Sequence, residues 1–350
     1  MNTNWTPNDV PDLSGSVAVV TGANSGIGLE VSRALARKNA AIILACRDED
    51  RGRAASESIR SGIPAARLEV AALDLASLAS IRGFARSFYD KHDRLDVLIN
   101  NAGVLLAPYD TTEDGFERHF GINHLGHFAL TGLLMDRLLA TSASRIVTVS
   151  SRGHGMGRID FANLMYEDGK GYSPARAYAR SKLANLLFTY ELQRRLYGAE
   201  TIAVAAHPGG AATDLGRRMG DRGFYRGILP LLEWMSQSAA TAARPILRAA
   251  TDPDATGGQY YGPAGFFGMR GLPDVVRSHP RSHDKVVARR LWEVSEDLTD
   301  VRYLSSNMGC GCACIDRGTA ADGVRQIGRG ARCQRSRDPS LEGWILGTEW

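Results

Sequence analysis

Tyr178 and Lys182 stand four residues apart in Tyr178-Ala179-Arg180-Ser181-Lys182, inside a run that reads as helix. That spacing places both side chains on one helical face, about one turn apart. A phenol titrates near pH ~10, so alone it is a poor acid or base at neutrality. A neighbouring ammonium favours the phenolate and draws its pKa toward working pH. Tyr and Lys share helical faces by chance in many proteins, and the pair gains weight from a second feature upstream. There Val17-Ala18-Val19-Val20 runs into Thr21-Gly22-Ala23-Asn24-Ser25-Gly26-Ile27-Gly28 and then a helical pattern. An apolar strand, a glycine-rich turn and a helix are the parts of a nucleotide phosphate site. Dinucleotide binding and an activated tyrosine in one chain point to hydride transfer.

Within the turn the glycines have separate tasks. Gly22 permits the tight turn, Gly26 lets the backbone approach a pyrophosphate, and Gly28 allows close helix packing. Asn24, Ser25 and Ile27 complete the segment whose N–H groups would face the phosphates at the helix N-terminus. Past the second strand a carboxylate would bind the ribose 2′-hydroxyl of NAD, whereas an arginine would meet the 2′-phosphate of NADP. This chain has Arg47 there, whose guanidinium offers bidentate donors and stacking. The order favours NADP(H). Asp48 follows directly, so a shift of one position leaves NAD(H) possible.

These groups need a scaffold, and the hydrophobic pattern supplies one. Strand-like and helix-like segments alternate, which predicts an α/β fold with a doubly wound parallel sheet. Expected strands are 17–20, 41–46, 68–72, 95–99, 145–149, 201–206 and a short last one at 258–261. Expected helices are 27–38, 48–61, 75–90, a long one at 112–140, and 175–197, which carries Tyr178 and Lys182. In such sheets ligands lie beyond the carboxyl ends of the strands, near the reversal of strand order. Gly22, Arg47, Asp74, Asn101, Ser151 and Pro208 all fall at those ends.

The chain has 350 residues, 44% hydrophobic and 23% charged, within the range of one large α/β domain. Its net charge of +4 is too small and dispersed to suggest nucleic acid. The sequence contains no apolar run of membrane-spanning length and no signal-like N-terminus, so a cytoplasmic location is the expectation. Cys46 sits in an apolar strand and reads as a small core hydrophobe. His124 and His127, three apart on a helix, could share a metal, but no third ligand is near and no metal is expected.

Thr21-Gly22-x-x-x-Gly26-Ile27-Gly28, Asn100-Asn101-Ala102-Gly103, Ser151, Tyr178-x-x-x-Lys182 and Pro208-Gly209 occur in that order. Together they resemble the short-chain dehydrogenase/reductase family over roughly residues 14–305. The resemblance implies a Ser-Tyr-Lys triad supported by an asparagine. By that pattern Tyr178 is the acid/base, Ser151 holds the substrate oxygen, and Lys182 binds the nicotinamide ribose and depresses the tyrosine pKa. Asn123 would anchor a water-linked proton relay. Ser150 is the alternative to Ser151, since successive residues at a strand end point oppositely. Asn101, Ala102 and Gly103 would lie against adenosine and ribose, and Asp74 near the adenine. Pro208, Gly209 and Thr213 would flank the nicotinamide. Leu44-Ala45-Cys46-Arg47-Asp48, Asn123-His124-Leu125-Gly126-His127-Phe128, Tyr260-Tyr261-Gly262-Pro263 and Leu291-Trp292-Glu293-Val294-Ser295-Glu296 resemble the retinol dehydrogenase-like branch, as does Ser181-Lys182-Leu183-Ala184-Asn185.

Two stretches are expected to shape a substrate pocket. One is 154–172, with Met156, Phe161, Leu164, Met165 and Tyr166; the other is 215–235, with Met219, Phe224, Tyr225 and Trp234. Their apolar content suits a lipophilic aldehyde, ketone or alcohol beneath a lid, although core packing would use the same residues. Residues 1–13 read as an N-terminal extension. From about 306 the chain becomes Gly/Arg-rich with Gly309-Cys310-Gly311-Cys312-Ala313-Cys314, a spacing that fits no zinc pattern, and disorder is expected. Homo-oligomerisation is possible. Two other functions stay open: a sensor that binds NADP(H) with little turnover, and a sugar-nucleotide epimerase or dehydratase sharing the Tyr-Lys pair.

Overall fold

The first strand, β1 (Val17–Thr21), enters the glycine turn and emerges as helix α1 (Gly26–Ala36). A computed structural model of the chain describes residues 5–210, 237–265 and 268–303. Next come β2 (Ala41–Cys46), α2 (Glu49–Gly62), β3 (Arg67–Ala72), α3 (Leu78–Lys91) and β4 (Val97–Asn100). After an interrupted helical region follow β5 (Arg145–Val149), the long helix Pro174–Arg195 and β6 (Ile202–Ala206). The described chain closes with β7 (Tyr260–Pro263), β8 (Pro273–Val275) and the helix Lys285–Thr299.

Among the described residues these strands form one sheet of order β3-β2-β1-β4-β5-β6-β7-β8. All neighbours pair in parallel except β8, which runs antiparallel to β7. The order reverses between β1 and β4, so their carboxyl ends diverge into the crevice where an α/β sheet binds ligands. Alternation along each strand divides the core into two layers. Val20, Leu44, Ile99 and Val147 pack on one face, with Val31 and Leu35 of α1. Val19, Ile43, Leu98 and Ile146 pack on the other, with Phe84, Phe128 and Trp292. Strands buried on both faces are largely apolar, as the central segments of β1, β2, β4 and β5 are. Each such side chain contributes about 1.5–3 kcal/mol by leaving water. Trp5 and Val10, in the segment before residue 14, are buried in the first layer.

The expected helix 112–140 is corrected. Thr111 bridges Glu117, and Gly115 adopts φ +82° in the turn between them. Helical structure starts at α4 (Arg118–Phe120), passes through a π-turn (Gly121–Leu125), and continues as α5 (Gly126–Leu133) and α6 (Met135–Ala140). The cause is Glu117, whose carboxylate accepts from the backbone N–H groups of His119 and Phe120 and caps a helix there. The last parallel strand begins two residues later than expected, because Gly258 forms a turn at φ +81°. Neither β8 nor the helix Lys285–Thr299 was among the expected elements. No helix among the described residues is long and apolar enough to cross a membrane.

Candidate active site

Sequence order fixes the turn after β1 through two glycine positions. Gly22 adopts φ +66°, a left-handed conformation, and donates its N–H to Ala45 O at 2.8 Å. A Cβ on Gly28 would stand within 2.7 Å of Asn101 Nδ2 and even closer to Gly22 O, so a side chain there would push turn and helix apart. Ser25 starts α1 without a capping hydrogen bond from its hydroxyl. The first-turn N–H groups of a helix lack intrahelical acceptors. Gly26, Ile27 and Gly28 therefore present donors at the mouth of the β1/β4 crevice, next to Asn24.

Thr21 organises the opposite wall. Its hydroxyl accepts from Asn101 N and Ala102 N, both at 2.9 Å, and Asn101 Nδ2 donates to Thr21 O at 2.8 Å. The Thr21 proton is left for His127 Nε2 at 2.9 Å, because His127 Nδ1 faces Asn123 O at 3.1 Å and acts as the donor there. His124 turns elsewhere, toward Ser295 Oγ at 3.0 Å. The two histidines thus serve separate partners. Burial is the main cause that pushes them down to about 3 for His124 and about 4 for His127, so both rings are neutral at pH 7.

The chemical end assembles on the helix Pro174–Arg195, which Pro174 starts at its first position. Lys182 is buried, donates to Val149 O at 3.0 Å, and lies 5.8 Å from the centre of the Tyr178 ring. Burial pushes its ammonium down to about 8. No carboxylate pairs with it among the described residues. Ser150 Oγ donates to the backbone of the same helix at Lys182 O, 2.8 Å, and is buried. Ser151 instead accepts from Gly153 N at 3.1 Å and adjoins the Tyr178 phenol. The Tyr178 pKa is raised by burial, and the Ser151 hydroxyl acts the other way. That differs from the expected depression by Lys182. The ammonium is held by Val149 O.

Asn123 occupies the π-turn. Its Oδ1 accepts from Val104 N at 2.8 Å, and its Nδ2 donates to Val104 O at 3.0 Å and Ser181 Oγ at 2.9 Å. Gly103 lies against both Asn123 and Lys182, where an added Cβ would be 3.0 Å from Asn123 Oδ1 and 3.5 Å from Lys182 Nζ. Gly103, Asn123, Lys182, Ser151 and Tyr178 therefore converge beside the glycine turn. Pro208 and Gly209 follow β6; Gly209 has φ +73° and donates to His207 Nδ1 at 3.2 Å. Arg47 is exposed at the end of β2, whereas the Asp48 carboxylate caps α2 by accepting from Arg51 N at 3.0 Å. Asp74 accepts from Ala76 N at 2.9 Å, which holds the loop after β3. Thr213, the segment 215–235 and the tail from 306 lie outside the described residues.

Of the expected pocket residues, Leu164, Phe161 and Met165 pack with Leu183, Leu187 and Leu291 in a core cluster. Tyr166 is buried against the Arg180 guanidinium, 4.1 Å from its ring centre. Met156 alone of that group is well exposed, at 73%. Residues 16–222 match the family model described as short chain dehydrogenase.

The chain belongs to the short-chain dehydrogenase family.

It falls in the retinol dehydrogenase-like branch. It is 44% identical over 291 residues to retinol dehydrogenase 13 of Homo sapiens, covering 82% of this chain and 85% of that protein. It is 41% identical over 294 residues to retinol dehydrogenase 12 of Mus musculus, covering 83% and 88%. Among solved structures, an uncharacterized protein from Mycobacterium paratuberculosis is 42% identical with a TM-score of 0.72, covering 86% of this chain and 99% of that one. An RhlG/NADP complex from Pseudomonas aeruginosa shares the fold, at 21% identity and a TM-score of 0.56, covering 71% and 94%. This dehydrogenase is thus an NAD(P)-dependent oxidoreductase acting on CH–OH or C=O groups.

Sequence reasoning missed three supports. Thr21 was read only as part of the turn, His127 as half of a rejected metal pair and as part of a branch motif, and Ser181 only as part of a branch motif. A hydroxyl at a strand end beside a glycine turn is the signal that could have found the first.

Proposed function

We propose that the protein transfers hydride between NADP(H) and a lipophilic aldehyde or ketone, or the matching alcohol, with Tyr178 as the proton donor and acceptor. The observation that carries this reading is Lys182: a buried ammonium with no carboxylate partner among the described residues, beside Tyr178. Burying an unpaired charge is costly, and such groups are retained where they bind or polarise a ligand. Ribose hydroxyls are ligands of that kind.

When bound, the nicotinamide supplies the hydride; the protein's own groups supply position and proton. Gly26 to Gly28 offer N–H donors to the pyrophosphate. Asn101 to Gly103 would border the ribose, Asp74 the adenine, and Pro208 and Gly209 the nicotinamide. Ser151 donates its proton to the substrate oxygen, on which charge builds as the carbonyl is reduced. Tyr178, kept protonated by burial, then gives its proton to that oxygen. Asn123, fixed by Val104 and Ser181, holds the π-turn against Lys182 for proton return. Arg47 supports NADP(H) over NAD(H): it is exposed and has no side-chain partner among the described residues, while Asp48 is occupied as a cap. Retinol dehydrogenases among its relatives support a lipophilic substrate.

Loss of reduced-nicotinamide absorbance, followed with a panel of aliphatic and aromatic carbonyls and both cofactors, tests the reading. Oxidation of NADPH that depends on carbonyl supports it. Cofactor binding without turnover would favour a sensor, and product formation without net cofactor change an epimerase.

A further inference from the structure

A cavity of about 280 Å³ opens beside the catalytic serine, lined by Arg152, His154, His207, Tyr260, Arg277 and His279 among others. Its lining contains no Asp or Glu. Arg152 and Arg277 are exposed and neither forms an ion pair or side-chain hydrogen bond among the described residues. Arg152 directly follows Ser151, and the turn from Ser151 to His154 is tied down where His154 Nδ1 meets Ser151 O at 2.6 Å.

His154 and His207 are not the source of positive charge. His154 donates from Nδ1 to Ser151 O and accepts at Nε2 from His279 N, 3.0 Å, which fixes a neutral ring. His207 is 2% exposed and accepts at Nδ1 from Gly209 N, so its proton sits on Nε2. That Nε2–H lies over Gly262, where any side chain would collide, and finds no protein acceptor among the described residues. Burial, with Arg152 adding repulsion, pushes His207 down to about 3, so an incoming anion meets a neutral donor.

The cofactor cannot account for this charge. Its phosphates belong at the β1 turn and Arg47, whereas the cavity lies at β6, β7 and β8, on the other side of the switch point. We propose that the cavity binds an anionic group, a carboxylate or phosphate, carried on the substrate several atoms from the reacting carbonyl. Arg152 and Arg277 are its charge partners and His207 Nε2–H is a third donor. Guanidinium forks suit both oxyanions. The inference rests on the reductase reading above and narrows its substrate to an acid-bearing lipophilic carbonyl.

The test compares kcat/KM for 9-oxononanoate, its methyl ester and nonanal, in the wild-type protein and in Arg152→Leu/Arg277→Leu. The wild type is expected to prefer the acid over the ester by roughly tenfold or more, and the double variant to bring that ratio near one, as loss of a charged hydrogen-bonding pair implies. Competition by inorganic phosphate below the concentration needed for acetate would assign a phosphate; the reverse order, a carboxylate. Equal wild-type rates for acid and ester, with nonanal reduced, would overturn the anion site and leave the reductase reading intact. Should no carbonyl be reduced, the reductase reading fails instead. Calorimetry then decides the cavity: nonanoate binding wild type roughly tenfold tighter than nonanol supports it, and equal binding rejects it.

Discussion

Thr21 Oγ1 donates to His127 Nε2 at 2.9 Å, and this bond joins the cofactor turn to the helix that carries Asn123. The hydroxyl has one proton and two lone pairs: Asn101 N and Ala102 N take the lone pairs, and the proton goes to His127 at 2.9 Å, with Ile99 O a longer contact at 3.3 Å. The same imidazole donates to Asn123 O at 3.1 Å. One buried side chain therefore sets the position of both the β4 loop and the π-turn.

Thr21→Val keeps the shape and removes these bonds. The buried donors and the imidazole nitrogen left behind should cost about 1–3 kcal/mol of stability. Cofactor affinity should fall with it, and Thr21→Ser should restore both. Chemical denaturation and cofactor titration of the three proteins check this; an unchanged Thr21→Val would deny the strut.

How much of this was legible beforehand differs by region. Gly22, Gly28, Tyr178 and Lys182 could be located because turn geometry and helical spacing constrain residue type directly. The helix start at Arg118 could not, since it is set by Glu117, whose carboxylate caps it in the buried interior. Periodicity carries through such a break unaltered. Likewise Phe161, Leu164 and Met165 have the composition of a substrate pocket, but the helix Lys285–Thr299 packs over them. Composition alone does not distinguish a wall from a core. That Ser150 donates to Lys182 O is a contact the sequence does not announce.

Acid should destabilise the fold from near neutrality. His124, His127 and His207 have folded-state values of about 3, 4 and 3, all below the ordinary value near ~6.5. Between ~6.5 and those values the unfolded chain binds protons that the folded chain excludes. Stability is therefore full above ~6.5 and is lost as pH falls, by about 1 kcal/mol per pH unit for each group. Urea midpoints measured from pH 7 to pH 5 should fall steeply, and His124→Gln should flatten the slope. An identical slope in the variant would show that His124 protonates without cost.

Cofactor choice should turn on Arg47. Arg47→Asp is expected to weaken NADPH by roughly tenfold to a hundredfold, the range of a lost charged hydrogen bond, while NADH changes little. Dissociation constants for both cofactors measure this. Equal losses would remove the 2′-phosphate role.

Most directly, Tyr178→Phe tests the proton-transfer claim, because it deletes one oxygen and keeps the ring. Carbonyl-dependent kcat, measured beside the NADPH dissociation constant, should fall by about 10²–10⁴ with cofactor affinity nearly unchanged. A variant that turns over at close to the wild-type rate would contradict the assignment of Tyr178 as the acid/base.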